Sequence, residues 1–230
     1  MVHGKHLARS LIKRLINCMA PDDRAATARD QILDAAERLF SRQGFDPTTI
    51  KEIGTEAQLN PALLYYYFGS KEELYKAVLQ RIVTGLSTRG TEVIETAGNP
   101  GDAIRALVAT QVDFLLHNPN VPKLFVREMI DHDAKHAEAV ILKLAAGLFH
   151  RLCGVIERGQ REGVFRHDVE PRFAAVSTIA QVVYFMIARP AIAVFFGLPP
   201  GGVPEDTARA FGRHAGDFAV RALSPVEQTV

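Results

Sequence analysis

The sequence predicts an all-α protein of about nine or ten helices, a small three-helix domain followed by a larger helical one. Three observations predict it. Apolar residues recur three and four apart through almost every segment, no stretch alternates convincingly at period two, and Gly, Pro and Asn cluster at only a few places.

The first core helix reads from its apolar stripe, Ile32, Ala35, Ala36, Leu39 and Phe40, with Arg29, Asp30, Asp34, Glu37 and Arg38 largely outside it. Gly44 ends it, as a left-handed residue just past a helix does. Thr48-Thr49 precedes a short helix, Ile50 to Ala57, and the three-residue turn Gln58-Leu59-Asn60 leads to another, Pro61 to Phe68. Gly69-Ser70 breaks the chain again. Ser70 with Glu73 makes a capping box for the helix that follows from Lys71 through Leu79 and on toward the second domain. Pro100-Gly101, Asn118 to Pro122, Gly163 to Pro171 and Gly197 to Pro204 punctuate the remainder. Between them fit helices of about 17, 10, 25, 25 and 15 residues. The expected division is a basic extension over 1–24, a domain over 25–79 and a second domain over 80–230.

Bulk composition restricts the function classes. The 230 residues are 47% hydrophobic and 23% charged, ordinary globular values. With 27 Lys+Arg against 26 Asp+Glu the formal net charge is +1, so charge alone does not announce a nucleic-acid partner. Two cysteines, Cys18 and Cys153, make no disulfide framework and fit a reducing compartment. The longest apolar run, Ala174 to Phe196, is interrupted by Gln181, Arg189 and Pro190, against the roughly 20 residues a membrane span requires. The N-terminus interleaves Arg9, Lys13 and Arg14 with its apolar residues and so lacks a signal-peptide core. A cytoplasmic protein without membrane partner is the expectation.

Thr49 to Lys71 has the form of a helix-turn-helix, two short helices joined by a tight turn, whose second helix enters the DNA major groove. Asn60 is a strong N-cap and Pro61 sits at the first helical position, where its missing N–H costs nothing. Leu64 and Phe68, four apart, face the first helix with Leu59, leaving Ala62, Leu63, Tyr65 and Tyr66 to point elsewhere. Exposed tyrosines on so short a helix suit phosphate hydroxyl contacts and flat packing against sugar and base. Thr49, Lys51 and Lys71 are placed as backbone clamps, and the Lys71 helix N-terminus can itself accept a phosphate.

At these residues the chain resembles the TetR family of transcriptional regulators. Ile32-Leu33-Asp34-Ala35-Ala36-Glu37-Arg38-Leu39-Phe40 with Gly44-Phe45 is similar to that family's first helix, and Thr48-Thr49-Ile50-Lys51-Glu52-Ile53 to its second. Leu64-Tyr65-Tyr66-Tyr67-Phe68-Gly69-Ser70-Lys71-Glu72-Glu73-Leu74 resembles the recognition helix and the turn after it. The match covers roughly the first third of the chain, in order and at family spacing. It implies phosphate contacts from Thr49, Tyr65 and Lys71, and groove-facing positions at Lys51, Asn60, Pro61, Ala62, Leu63, Tyr66 and Tyr67. Few of these make the bidentate base contacts of Arg, Asn and Gln, whereas Ala62 and Leu63 can meet thymine methyls. Two positions depart from the family: Gln58 stands where it usually has Gly, and Gly54 where it has Ala. A left-handed Gln58 costs on the order of 1 kcal/mol, and Gly54 inside a helix about another 1 kcal/mol.

The resemblance further implies a C-terminal ligand-binding and dimerisation domain. Ser177 to Gly197 is apolar around most of its circumference and calls for burial on two sides. With the helix around Thr207 to Arg221 it forms, in the family arrangement, a four-helix bundle across a two-fold axis. Gly159 to Arg166 also looks like the family's loop before that helix. Candidate effector-pocket residues are Phe114, His117, Phe125, Met129, Leu148, Phe149, Tyr184 and Phe185, a set that suits an apolar or aromatic small molecule.

No cofactor, metal or catalytic residue is expected. Asp131-His132-Asp133 with His136 offers two imidazoles one turn apart but no specified third ligand, and reads as a polar helix junction. His150 with Cys153, and Cys18, read as structural. No nucleophile elbow, phosphate loop or dinucleotide fingerprint is present, so an enzyme is not expected. The extension Val2 to Met19 carries Lys5, Arg9, Lys13 and Arg14 and no acidic residue. It can be a DNA-binding arm, an amphipathic helix folded on its own domain, or a disordered tail or an artefact of an upstream start codon. The leading expectation is a homodimeric repressor released from a near-palindromic operator in double-stranded DNA by a small-molecule effector. An activator, or a regulator with no effector, is a variant of it. The alternative is a small-molecule-binding or scaffolding protein that has lost operator binding.

Overall fold

A computed structural model describes residues 21–136, 146–199 and 202–225. The basic extension lies outside the described residues. Among those described, every regular element is a helix: α1 (Pro21–Gln43), α2 (Ile50–Ala57), α3 (Pro61–Phe68), α4 (Lys71–Thr96), α5 (Pro100–His117), α6 (Val121–His132), α7 (Ala146–Arg161), α8 (Pro171–Ile187), α9 (Arg189–Phe195) and α10 (Glu205–Leu223). The chain divides into two compact units, up to Val78 and from Leu79, the division falling inside α4.

In the first unit α1 packs on α2, and α2 on α3. The stripe Ile32, Ala35, Ala36, Leu39, Phe40 is buried with Ile53, Leu64, Leu74 and Tyr75. Phe40 meets Tyr75 edge-on at 4.8 Å, and Phe45 lies 5.0 Å from the same ring. Each such side chain removed from water contributes about 1.5–3 kcal/mol. Gly44 ends α1 in the left-handed region at φ 92°.

In the second unit α10 lies along α5, and α8 packs on α10, α7, α5 and α6. Ile104, Leu107, Leu152, Ile156, Ala175 and Leu223 share one core. Two ion pairs tie α5 to α10 at its rim, Arg105 to Asp217 at 2.7 Å and Arg209 to Asp113 at 3.0 Å. Both are exposed and contribute little individually. Phe185 stacks on Phe211 at 3.9 Å and 8°. After α7 the chain reverses, and the Phe165 N–H donates to the Gly159 carbonyl at 3.0 Å. The Phe165 ring fills the space a Cβ on Gly159 would need, so this buried position admits glycine only.

One expected helix is broken in two. The apolar stretch from Pro171 to Phe195 is two helices with a 79° bend between them, not one of about 25 residues. The break falls at Ala188-Arg189-Pro190. A proline there cannot donate to the carbonyl four residues back and its ring crowds that carbonyl, so α8 ends. Among the described residues no single helix is long and apolar enough to cross a membrane.

Candidate nucleic-acid interface

Helices of eight residues are too short to hold themselves in water, so their ends must be specified. Thr49 caps α2 with a complete capping box: its Oγ1 accepts from the Glu52 N–H at 3.2 Å, while the Thr49 N–H donates to Glu52 Oε2 at 2.8 Å. The Thr49 N–H bond, with a second from the Thr49 hydroxyl to the same oxygen, holds the exposed Glu52 carboxyl below its ordinary value of 4.5. Thr48, buried just before, donates its hydroxyl to the Gly44 carbonyl at 2.6 Å.

The turn after α2 is closed from both sides. Gln58 adopts φ 58°, ψ 34°, the left-handed conformation that usually falls to glycine. The Leu59 N–H donates to the Gly54 carbonyl at 2.9 Å. A Cβ on Gly54 would stand 3.0 Å from Pro61 Cγ, 3.1 Å from the Leu59 carbonyl oxygen and 3.2 Å from Pro61 Cδ. Gly54 is therefore the residue that lets Pro61 come close. Asn60 caps α3, its Oδ1 accepting from the Ala62 N–H at 2.9 Å. Leu64 goes into the core, 1% exposed.

The residues expected at the DNA differ in exposure. Tyr65 is 57% exposed and Tyr66 80%. Thr49, Lys51, Asn60 and Ala62 are exposed too, whereas Pro61, Leu63, Tyr67 and Lys71 are half-buried. Tyr66 and Tyr67 meet edge-on at 5.1 Å. Two contacts escape a reading by spacing. The Lys71 ammonium donates to the Phe45 and Asp46 carbonyls, at 3.0 and 3.1 Å, and sits 4.3 Å from the Phe45 ring centre. Arg38 of α1 pairs with Glu56 of α2 at 2.9 Å. Both join residues far apart in sequence, and no local pattern signals them. For the helix after Ser70, the Glu73 N–H donates to Ser70 Oγ at 3.1 Å, while the Glu73 carboxylate pairs with Lys76.

The effector-pocket candidates are scattered by comparison. Phe114 and Phe185 are core, and Phe114 lies beneath the Arg89 guanidinium, 5.8 Å from its centroid. Phe125, Leu148 and Phe149 are half-buried, with the Leu148 methyls filling the space beside Gly90. Met129 and Tyr184 are exposed, and His117 donates from Nδ1 to the Asp113 carbonyl at 2.7 Å. A groove of about 330 Å³ runs between α8 and α10 beside Phe173, Ser177, Gln181 and Phe218, and none of the candidates lines it. Cys153 is buried, and burial pushes its thiol up, away from the reactive thiolate.

A capped helix-turn-helix ahead of an all-helical second unit defines a DNA-binding transcriptional regulator. The chain belongs to the tetR family. Residues 32–78 match the family model "Bacterial regulatory proteins, tetR family", and residues 100–210 match "Tetracyclin repressor-like, C-terminal domain". The HTH-type transcriptional repressor NicS of Pseudomonas putida is 34% identical over 163 residues, 70% of this chain and 76% of that one. The HTH-type transcriptional repressor KstR2 of Rhodococcus jostii is 25% identical over 179 residues, 78% and 84% of the two chains. Two solved structures share the fold. The ketosteroid transcriptional regulator KstR2 of Mycobacterium tuberculosis superposes at TM-score 0.63 with 21% identity, over 86% of this chain and 95% of that one. The fatty acid degradation regulator FadR of Bacillus halodurans does so at 0.68 with 16% identity, over 88% and 96%. The expected fold class and family hold, and the relatives are regulators of transcription.

Proposed function

We propose that this chain is a cytoplasmic homodimeric repressor that occupies a near-palindromic operator and leaves it when a small molecule binds the C-terminal domain. The observation that carries the reading is the exposure of Tyr65 and Tyr66 on a two-turn helix capped at its start by Asn60 and Pro61. Large aromatic rings stand mostly in solvent there, with Tyr66 edge-on to its neighbour Tyr67. In this reading residues 25–79 bind DNA and residues 80–230 bind effector and partner subunit. Thr49, Tyr65 and Lys71 contact phosphates. Lys51, Asn60, Pro61, Ala62, Leu63, Tyr66 and Tyr67 face the groove. Lys71, with two N–H groups on the Phe45 and Asp46 carbonyls, has a third for a phosphate oxygen.

Dimerisation is supported by an apolar face shared by α8 and α10, where Phe173 is 73% and Phe218 56% exposed. A surface of that kind marks an interface. Two recognition helices about 35 Å apart then read successive major grooves. Half-buried Phe125 and Phe149, with Met129 one helical turn after Phe125, support an apolar or aromatic effector. The effector must bind the DNA-incompetent state more tightly, because equal affinity shifts nothing.

The alternative, a protein that no longer reads DNA, rests on Gln58 in place of glycine and on the scarcity of side chains that make bidentate base contacts. Gln58 holds the left-handed conformation and the turn's hydrogen bonds are made, so the first of these supports falls away and the second is left to the binding experiment. The test is fluorescence anisotropy with DNA from upstream of its own gene and with sites selected from a random library. A selected palindrome bound at about 10 nM or tighter, by two subunits, with a steep salt slope, is the expected result. Selection that yields no sequence preference would sink the reading.

A further inference from the structure

Three side chains able to ligate a cation converge at the end of α6. Glu128 is fully buried, His136 is 8% exposed and His132 is half-buried. One donor atom from each lies within 4.8 Å of the other two. Glu128 and His132 are four residues apart and so share a face of α6.

His136 arrives by a different route. Asp133 and Ala134 both take left-handed backbone, φ 48° and 63°, which is uncommon for residues other than glycine. Their N–H groups both donate to the Glu128 carbonyl, and the chain doubles back. The His136 N–H then donates to Glu128 Oε1 at 2.7 Å, and its Nδ1 lies 3.3 Å from Oε2. The His136 ring stands edge-on to that of His132, with centres 4.7 Å apart.

We propose that Glu128, His132 and His136 bind one first-row divalent cation per subunit, of the Zn²⁺ type. A buried carboxylate and two imidazoles that converge within 4.8 Å of one another form a donor set of the kind a divalent cation takes. One oxygen and two imidazole nitrogens select Zn²⁺, Co²⁺ or Ni²⁺ over the harder Mg²⁺ and Ca²⁺. Three protein ligands leave a fourth position to water. Bonds near 2.1 Å place ligand atoms about 3.4 Å apart around a tetrahedral ion, so small side-chain rotations close the site. Asp131 and Asp133, the carboxylates adjacent in sequence, are exposed and stand outside the group. The third ligand comes from Glu128, one turn earlier.

The test uses the full-length protein stripped with a chelator and titrated with Co²⁺, then with Zn²⁺ in competition. One equivalent of Co²⁺ per subunit, with the visible bands of a four-coordinate site that Zn²⁺ abolishes, is expected. His132→Asn keeps the Glu128–His136 hydrogen bonds, so it should melt like the parent without metal and lose affinity by about 100-fold or more. Glu128→Gln should lose it too, with circular dichroism confirming the fold. The proposal is overturned if the parent takes up no stoichiometric metal. It is equally overturned if His132→Asn binds as tightly, which would place the metal on histidines elsewhere. No DNA enters the experiment, so its failure leaves the repressor reading untouched.

Discussion

The Cα of Gly54 faces the pyrrolidine ring of Pro61 so closely that a Cβ would lie 3.0 Å from Cγ and 3.2 Å from Cδ. The two helices of the DNA-binding motif therefore touch through a residue with no side chain and a residue with no N–H. Gly54→Ala gains about 1 kcal/mol of helix propensity and incurs an overpacking cost of about 1–3 kcal/mol. A net loss of about 1 kcal/mol is expected in chemical denaturation of the N-terminal unit. In a Pro61→Ala background the penalty should shrink, and a double-mutant cycle reads the coupling directly.

Gln58→Gly should act in the opposite direction. Its native φ of 58° suits glycine, so relief of the left-handed cost is worth about 1 kcal/mol. Operator affinity should change little, because the caps at Thr49 and Asn60 still place both helices. A variant that denatures earlier than the parent would contradict this account of the turn.

Tyr65 and Tyr66 should separate by the kind of binding they lose. Tyr65→Phe removes one hydroxyl and about 1 kcal/mol, roughly fivefold, evenly across DNA sequences. Tyr66→Ala should lose more on the selected operator than on scrambled DNA, by about 1–3 kcal/mol. Neither should shift melting by more than about 0.5 kcal/mol, since both side chains lie mostly in water. Lys51→Met should reduce the salt slope by about 1.

The capping box gives the motif an acid limb. Because the Thr49 bonds hold the folded Glu52 carboxyl below 4.5, its contribution is complete above that value and is lost as pH falls through the depressed one. Glutamine can make the same bonds without titrating. Melting of Glu52→Gln should therefore fall less steeply than the parent's as pH drops below about 4.5.

Phe218→Glu tests the proposed subunit face. More than half of this side chain is exposed in the single chain, so the monomer should fold unchanged. Light scattering should report half the mass, and operator binding should weaken by at least about tenfold through loss of the second half-site.

Where the chain speaks locally, the sequence is easy to read. The bounds of α2 and α3 follow from Thr49, Gln58, Asn60 and Gly69, because short helices are set by their caps. The outward tyrosines follow from the spacing of Leu64 and Phe68. What could not be read is joined across distance. Lys71 reaches carbonyls 25 and 26 residues earlier, and Arg38 finds Glu56 eighteen residues on. Glu128 is hidden as a ligand because an unpatterned left-handed turn brings His136 back to it. Pro190 signals the bend locally, yet the apolar residues on both sides of it read as a single helix. Residue type alone does not mark an effector pocket, because it does not separate the core ring of Phe185 from the exposed ring of Tyr184.

The interlock of Phe165 over Gly159 bears on how such a domain can change through descent. A side chain gained at 159 collides with the ring, and a ring lost at 165 leaves a hole in the core. Neither single step is neutral, so the two positions can be rewritten only as a pair.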